Sequence, residues 1–189
     1  MKIKPSNEPG KVIVELGPRE AQLPPLSSGT MEKALPAFQI KKILVPVDFS
    51  GCSKKALQYA IPLARQFGAE LTLLHVVQPY PPMPEMGPVD VETIQDAHEQ
   101  LATFRGAVGD VVPSNTMVRT GSAHVEIIDA AKEFDIDLIV LSTHGRTGLE
   151  HVLLGSTAEK VVRHAGCPVL VVREHEREFI VQGTANDSP

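Results

Sequence analysis

The chain has 189 residues, of which 42% are hydrophobic and 22% are charged, and its formal net charge is -5. This length suffices for one hydrophobic core with tails and is short for two domains. The mild negative charge argues against nucleic acid or an anionic membrane as a partner, since such surfaces need clustered Lys and Arg.

Targeting signals and cysteine motifs are missing from the sequence. The first residues, MKIKPSNEPG, lack the apolar run of a secretory signal, and no apolar segment approaches the roughly 18 residues that span a bilayer. Cys52 and Cys167 form no CxxC pair, so we expect small buried or half-buried thiols. These features predict a cytoplasmic protein without a zinc site or a disulfide framework.

The two ends of the chain differ in composition from its middle. Residues 1–40 are proline-rich and irregular, and only KVIVEL resembles a strand, so we predict a flexible N-terminal extension. Residues 174–189 form a charged and then polar C-terminal tail. The folded domain is therefore expected at residues 41–173.

Within that domain, apolar runs typical of strands alternate with helical patterns. The first strand stops at Asp48, and the helix of residues 53–68 follows, with Ser53 as the expected N-cap and Gly68 as the expected C-terminal stop. The later strands are expected at residues 69–77, near 115–120, at 137–142 and at 168–172, and the later helices at 89–108, 122–134 and 156–164. This alternation predicts a parallel sheet with helices on both faces.

Between the fourth strand and the last helix lies the stretch STHGRTGLEHVLLGST. Gly145 allows a positive φ or a close approach to a ligand, and Gly155 is expected to do the same directly before a helix whose first amides favour an anion. The hydroxyl groups of Ser156 and Thr157 can donate to phosphate oxygens, and Arg146 adds positive charge. The stretch therefore has the properties of a phosphate-binding loop.

The same residues also suit a loop without a ligand. Ser156 and Glu159 match the S-x-x-E capping box, and the glycines suit ordinary turns. Ligands of open α/β sheets bind beyond the carboxyl ends of the strands, where the strand order reverses. Asp48 and the glycine loop both follow such ends if the order is 3-2-1-4-5, which favours the anion site.

Other kinds of chemistry have less support in the sequence. The GxGxxG, GxxxxGK[ST] and GxSxG patterns are absent, and the histidines show no dense metal-binding spacing. We therefore assign no metal ligands and no catalytic residues.

The sequence resembles the universal stress protein family over residues 41–173. The resemblance rests on KKILVPVDFSGCSKKALQYA, on LTLLHVV and on STHGRTGLEHVLLGSTAEKVVRHAGCPVLVV. It implies an α/β fold with an open five-stranded parallel sheet in the order 3-2-1-4-5 and helices on both faces. That fold is similar to the Rossmann-like, adenine nucleotide alpha hydrolase-like proteins.

Family members that bind ATP carry the pattern G-x-x-G, nine residues, then G-[ST]. Gly145, the following nine residues, Gly155 and Ser156 match this pattern, whereas Ser142 stands where the pattern has its first glycine. A serine there adds a side chain near the ribose or the α-phosphate.

The resemblance also implies roles for individual residues. Asp48 would meet the adenosine, and Val76 would hold adenine through its backbone. The residues implied at the nucleoside are Pro46, Val47, Asp48, Val76, Leu141 and Ser142. Those implied at the phosphates are Gly145, Arg146, Gly155, Ser156 and Thr157.

The function implied by the resemblance is that of an ATP-binding module in the stress response, whose nucleotide occupancy biases its conformation or a contact with an unidentified protein partner. Mg²⁺ would arrive with the phosphates. A homodimer is implied through the last strand, Val169–Val172, whose apolar edge would otherwise be exposed.

Two alternatives remain open at this point. Ser142 leaves room for an interaction module of the same fold that binds no nucleotide. Slow ATP hydrolysis or autophosphorylation on Ser156, Thr157 or a loop hydroxyl is the other, although no residue is visibly committed to the γ-phosphate.

Overall fold

A computed structural model describes residues 2–5, 12–15, 39–78, 91–143 and 154–173, with the backbone alone described at 2–5, 12–15, 91 and 92. The chain divides into two compact units, Met1–Phe38 and Gln39–Pro189. None of the described helices combines the length and the apolar character needed to cross a membrane.

The first unit contains a β-hairpin. Strand β1 (Lys2–Pro5) pairs in antiparallel fashion with β2 (Val12–Glu15). The sequence indicated only the second of these strands, within KVIVEL. That residues 1–40 form a flexible extension, and residues 174–189 a tail, stay predictions.

The second unit contains every strand and helix that the sequence predicts for the domain. Its five strands form a sheet in the order β5-β4-β3-β6-β7, and every neighbouring pair is parallel. The predicted order 3-2-1-4-5 is therefore confirmed. The elements are β3 (Lys42–Pro46), α1 (Gly51–Phe67), β4 (Glu70–Val77), α2 (Val91–Val108), β5 (Ser114–Thr120), α3 (Ala123–Glu133), β6 (Leu138–Ser142), α4 (Ser156–His164) and β7 (Val169–Val172).

The two faces of the sheet bury separate apolar clusters, because successive residues of a strand point to opposite faces. On one face, Val45 of β3 belongs to a cluster with Leu57 of α1 and Leu101 of α2. On the other face, Leu44 belongs to a cluster with Ile127 of α3 and further residues of α4. The predicted covering of both faces by helices is confirmed.

The strand order of the sheet reverses at β3, which lies between β4 and β6. Strand β3 pairs with β4 along its whole length. Its ladder with β6 is much shorter and joins only Ile43 to Leu138 and Leu44 to Ile139. The pairing of β3 with β6 therefore ends before the carboxyl ends of the two strands, and such ends are where ligands bind in open sheets.

Helix α1 begins earlier than the sequence predicts. Its N-cap is Ser50, whose Oγ accepts a hydrogen bond from Ser53 N at 3.2 Å, so the prediction of Ser53 as N-cap is wrong. At the other end, Gly68 has φ 65°, the left-handed conformation expected of a C-terminal stop. The helix continues through Pro62 without a break.

Candidate functional site

A cavity of about 370 Å³ lies at the carboxyl ends of β3, β4 and β6. Its walls come from the β3–α1 loop, the end of β4, the start of α3, the end of β6 and the start of α4. The lining residues are Pro46, Val47, Asp48, Leu74, His75, Val76, Gln78, Ala123, Ile127, Leu141, Ser142, Thr143, Gly155, Ser156, Thr157 and Ala158.

Every predicted site residue that the structure describes lines this one cavity. Pro46, Val47, Asp48, Val76, Leu141, Ser142, Gly155, Ser156 and Thr157 are brought together from four segments of the chain. Gly145 and Arg146 lie outside the described residues. The structure therefore unites residues that the sequence separates by more than a hundred positions.

The β3–α1 loop holds Asp48 through hydrogen bonds within the loop itself. Asp48 Oδ1 accepts from Ser50 N at 3.1 Å and from Ser50 Oγ at 2.6 Å. Ser50 Oγ in turn accepts from Ser53 N, so the carboxylate is linked to the first turn of α1. This arrangement presents Asp48 at the cavity in a defined orientation.

Phe49, the next residue of the loop, has an uncommon backbone conformation. Its φ is 67°, which few residues other than glycine adopt. The Phe49 ring stacks on His75, with 4.2 Å between the ring centroids, and meets Phe104 of α2 edge to face at 5.5 Å. These contacts support the strained turn from β3 into α1.

The N-terminus of α4 forms the polar side of the cavity. Gly155 is the N-cap with φ -65°, so of the two expected roles the positive φ is not observed and the close approach to a ligand stays a prediction. Its amide donates to Thr143 O at 2.8 Å. The first hydrogen bond within the helix runs from Glu159 N to Gly155 O. The amides that point beyond the helix are therefore those of Ser156, Thr157 and Ala158.

The alternative interpretation of Ser156 and Glu159 as a capping box is not realised. Because Gly155 occupies the N-cap, Ser156 is the first helical residue and Glu159 lies one position beyond the place that the box requires. Glu159 instead accepts a hydrogen bond from Arg163 at 2.8 Å. The cavity-lining Ser156 is exposed and is not the capping residue of α4.

Another part of the cavity lining is apolar and contains residues that sequence reasoning missed. Ala123 and Ile127 of α3 line it, together with Leu74 and Val76 of β4. The start of α3 directly beyond the carboxyl end of β5 was the available signal, because such helix starts border the ligand crevice of open sheets. The apolar wall and the polar helix terminus face one cavity.

No group of three or more metal-ligating side chains comes together within residues 39–78, 91–143 and 154–173. In this part of the chain, the cavity lining includes backbone amides and hydroxyl groups at the start of α4, which suit an anion.

An open parallel sheet with helices on both faces and a cavity at its switch point defines a Rossmann-like α/β protein. The model of the universal stress protein family matches residues 39–173, and the chain belongs to that family. A universal stress protein of Methanocaldococcus jannaschii is 37% identical over 146 residues, covering 73% of this chain and 85% of the relative.

Solved structures have the same fold. The universal stress protein UspA from Lactobacillus plantarum matches with a TM-score of 0.62 at 33% identity, over 72% of this chain and 100% of that chain. A universal stress protein in complex with cAMP matches at 0.58 and 20% identity, over 71% and 98%. One from Archaeoglobus fulgidus in complex with dAMP matches at 0.56 and 23%, over 71% and 98%. At the last two identities the likeness extends to the fold alone.

Proposed function

We propose that this universal stress protein binds ATP in the cavity at the switch point of its sheet. The observation that carries the proposal is the convergence of the predicted nucleoside and phosphate residues on that cavity. Family membership, with relatives solved in complex with cAMP and dAMP, makes an adenine nucleotide the ligand to test first.

The polarity of the cavity matches the two ends of such a ligand. Val76, Ala123 and Ile127 supply an apolar wall for a flat base. Elsewhere on the lining, the free amides of Ser156 and Thr157 and the positive end of the α4 dipole suit phosphate oxygens. Asp48, held by Ser50, lies on the lining as an acceptor for a sugar hydroxyl.

Ser142, where the sequence departs from the family pattern, is compatible with nucleotide binding and does not require the alternative of a module that binds no nucleotide. The residue ends β6, pairs with Val172 and lines the cavity. With that serine in place the cavity still has about 370 Å³, within the roughly 300–1,000 Å³ usual for small-molecule sites. A cavity of ligand size is therefore present with serine at this position.

Nucleotide binding would connect the two halves of the sheet, since the cavity receives residues from both sides of β3. Occupancy of the cavity then biases the conformation, or the contact with a protein partner, through which the stress response acts. Mg²⁺ would accompany the phosphates and screen their charge, leaving the amides and hydroxyls of α4 to orient them.

The proposal is tested by placing charge at the N-terminus of α4. An aspartate at position 156 interacts favourably with the dipole of α4, so Ser156→Asp should not lower the thermal midpoint of unfolding. Its charge repels phosphate, so the same substitution should weaken ATP binding about tenfold or more. Isothermal titration calorimetry with ATP and with adenosine measures this effect. Adenosine affinity should stay near that of the parent.

Ser156→Asn is the matched control, because it has a similar shape and no charge. It should bind ATP within about threefold of the parent, a difference of less than one kcal/mol. Equal ATP affinity in the Asp and Asn variants would overturn the placement of the phosphates. Failure of the parent protein to bind ATP in the titration would overturn the proposed function itself.

A further inference from the structure

The hydrogen-bond ladder between β3 and β4 ends in an unusual way beside the cavity. Its last main-chain bond runs from Val47 N to Leu74 O at 2.8 Å. In a parallel ladder the next bond would run from Val76 N to Val47 O. Within the described residues this bond is not formed.

The acceptor of the missing bond is taken by a side chain. His75 Nδ1 lies 2.8 Å from Val47 O. Because a carbonyl oxygen can only accept, Nδ1 carries the proton in this contact. In the described residues the donor to Val47 O is therefore the imidazole and not the Val76 amide.

The position of His75 on β4 determines the face of the sheet on which its ring lies. Leu74 and Val76 pack with the cluster under α3 and α4, so His75 points to the opposite face of the sheet. There its ring stacks on Phe49, which also contacts Phe104. The aromatic contacts hold the imidazole where its Nδ1 reaches the loop.

We propose that His75 is a positioning residue of the nucleotide site, which keeps the Val76 amide out of the β3–β4 ladder and available to the base. By anchoring Val47 O, His75 also holds the loop that presents Asp48. This role rests on the proposed function, because the base is the group to which the Val76 amide would donate a hydrogen bond.

The test compares two substitutions of His75. His75→Phe keeps an aromatic ring against Phe49 but removes the donor, whereas His75→Asn removes the ring but keeps an N–H near the position of Nδ1. We expect His75→Phe to weaken binding of ATP and of adenosine about tenfold, the effect of one lost hydrogen bond, and to leave tripolyphosphate binding unchanged. His75→Asn should bind ATP and adenosine with affinities within about threefold of those of the parent.

Amide hydrogen exchange gives a readout that does not depend on nucleotide binding. Without nucleotide, the Val76 amide should exchange fast in the parent and in His75→Asn, and should become protected in His75→Phe as it bonds to Val47 O. Equal Val76 exchange in the parent and His75→Phe would overturn the positioning role, even if ATP binds. Absent ATP binding with the expected exchange pattern would overturn only the proposed function. A loss of tripolyphosphate affinity equal to that of adenosine would show a general structural defect and contradict the role.

Discussion

At the scale of single residues, the thiol of Cys167 has an environment that disfavours its ionisation. Cys167 is half-buried beside the cluster under α3 and α4. Burial raises the pKa of this thiol, and the nearby charge of Asp137 raises it further. Both effects disfavour the thiolate, which is the form that reacts with alkylating agents.

We therefore predict that Cys167 alkylates slowly at pH 8. The midpoint of its rate against pH should lie above about 8.5, the value for an unperturbed thiol. Mass spectrometry after iodoacetamide pulses measures the rate, with the protein unfolded in urea as control. Because the folded pKa is the higher one, the contribution of Cys167 to the free energy of unfolding is complete below the unfolded pKa. It falls as pH rises through the folded pKa. A midpoint at or below that of the unfolded control would contradict the prediction.

Other features at the residue scale could be predicted only in part. Asp48, Val76 and Ser156 were placed at the site because a motif carries them, and the structure brings them to one cavity. The role of His75 was not predictable, since it depends on which face of β4 the ring occupies and on the exact end of a ladder. Such facts arise only when the strands are paired.

At the scale of elements, two glycines allow a clean separation of backbone conformation from packing. A Cβ added at Gly68 or at Gly106 would meet no atom within 4 Å. Gly68 has φ 65° at the end of α1, whereas Gly106 lies in helix α2. Any difference between alanine substitutions at these positions therefore comes from the backbone.

We predict opposite effects for the two substitutions. Gly68→Ala should lower the free energy of unfolding by about 1 kcal/mol, because alanine is strained at positive φ. Gly106→Ala should raise it by about 0.5–1 kcal/mol, since alanine favours the helix and restricts the unfolded chain. Urea unfolding followed by circular dichroism measures both, and changes of the same sign would contradict the assignment of these conformations.

The ends of the helices show where sequence patterns succeed. Helix α4 has the predicted bounds, because a glycine before it and polar residues at its start leave few other choices. Helix α1 starts two residues before the expected N-cap because Ser50, tied to Asp48, caps it instead. Two serines three positions apart compete for the same role, and only the geometry of the β3–α1 loop decides between them.

At the scale of the whole molecule, the edge of the sheet at β7 suggests how two copies would meet. Leu170 on this edge strand and Val162 on the neighbouring α4 are large apolar residues left exposed, at 37% and 46%. An edge strand also presents unpaired backbone groups. We propose that the chain forms a homodimer through Val169–Val172.

The proposed dimer is tested by introducing a positive charge on β7. Leu170→Lys should shift the protein toward monomer in sedimentation velocity, because two lysines would face each other across a symmetric interface. Thr116→Lys, on the exposed opposite edge strand β5, is the control and should leave the mass unchanged. A dimer that persists in the first variant, or dissociates in the second, would place the interface elsewhere.

The arrangement of the sheet was the most predictable feature of the molecule. Alternating strands and helices require crossovers, and their fixed handedness leaves few arrangements for five parallel strands. The family resemblance selected the order that is observed. The pair of β1 and β2 was only half predicted, because KIKP has Ile3 as its single strand-type apolar residue and is too short for a clear pattern.

The short ladder between β3 and β6 has a mechanical consequence. Along this line the sheet has the fewest paired residues of any neighbouring pair of strands in its order. The candidate site bridges the same line, with residues of the β3–α1 loop on one side and residues at the end of β6 and the start of α4 on the other. A bound nucleotide would thus act as a crosslink across the shortest ladder of the sheet. Its departure would leave the two halves of the sheet more free to shear against each other.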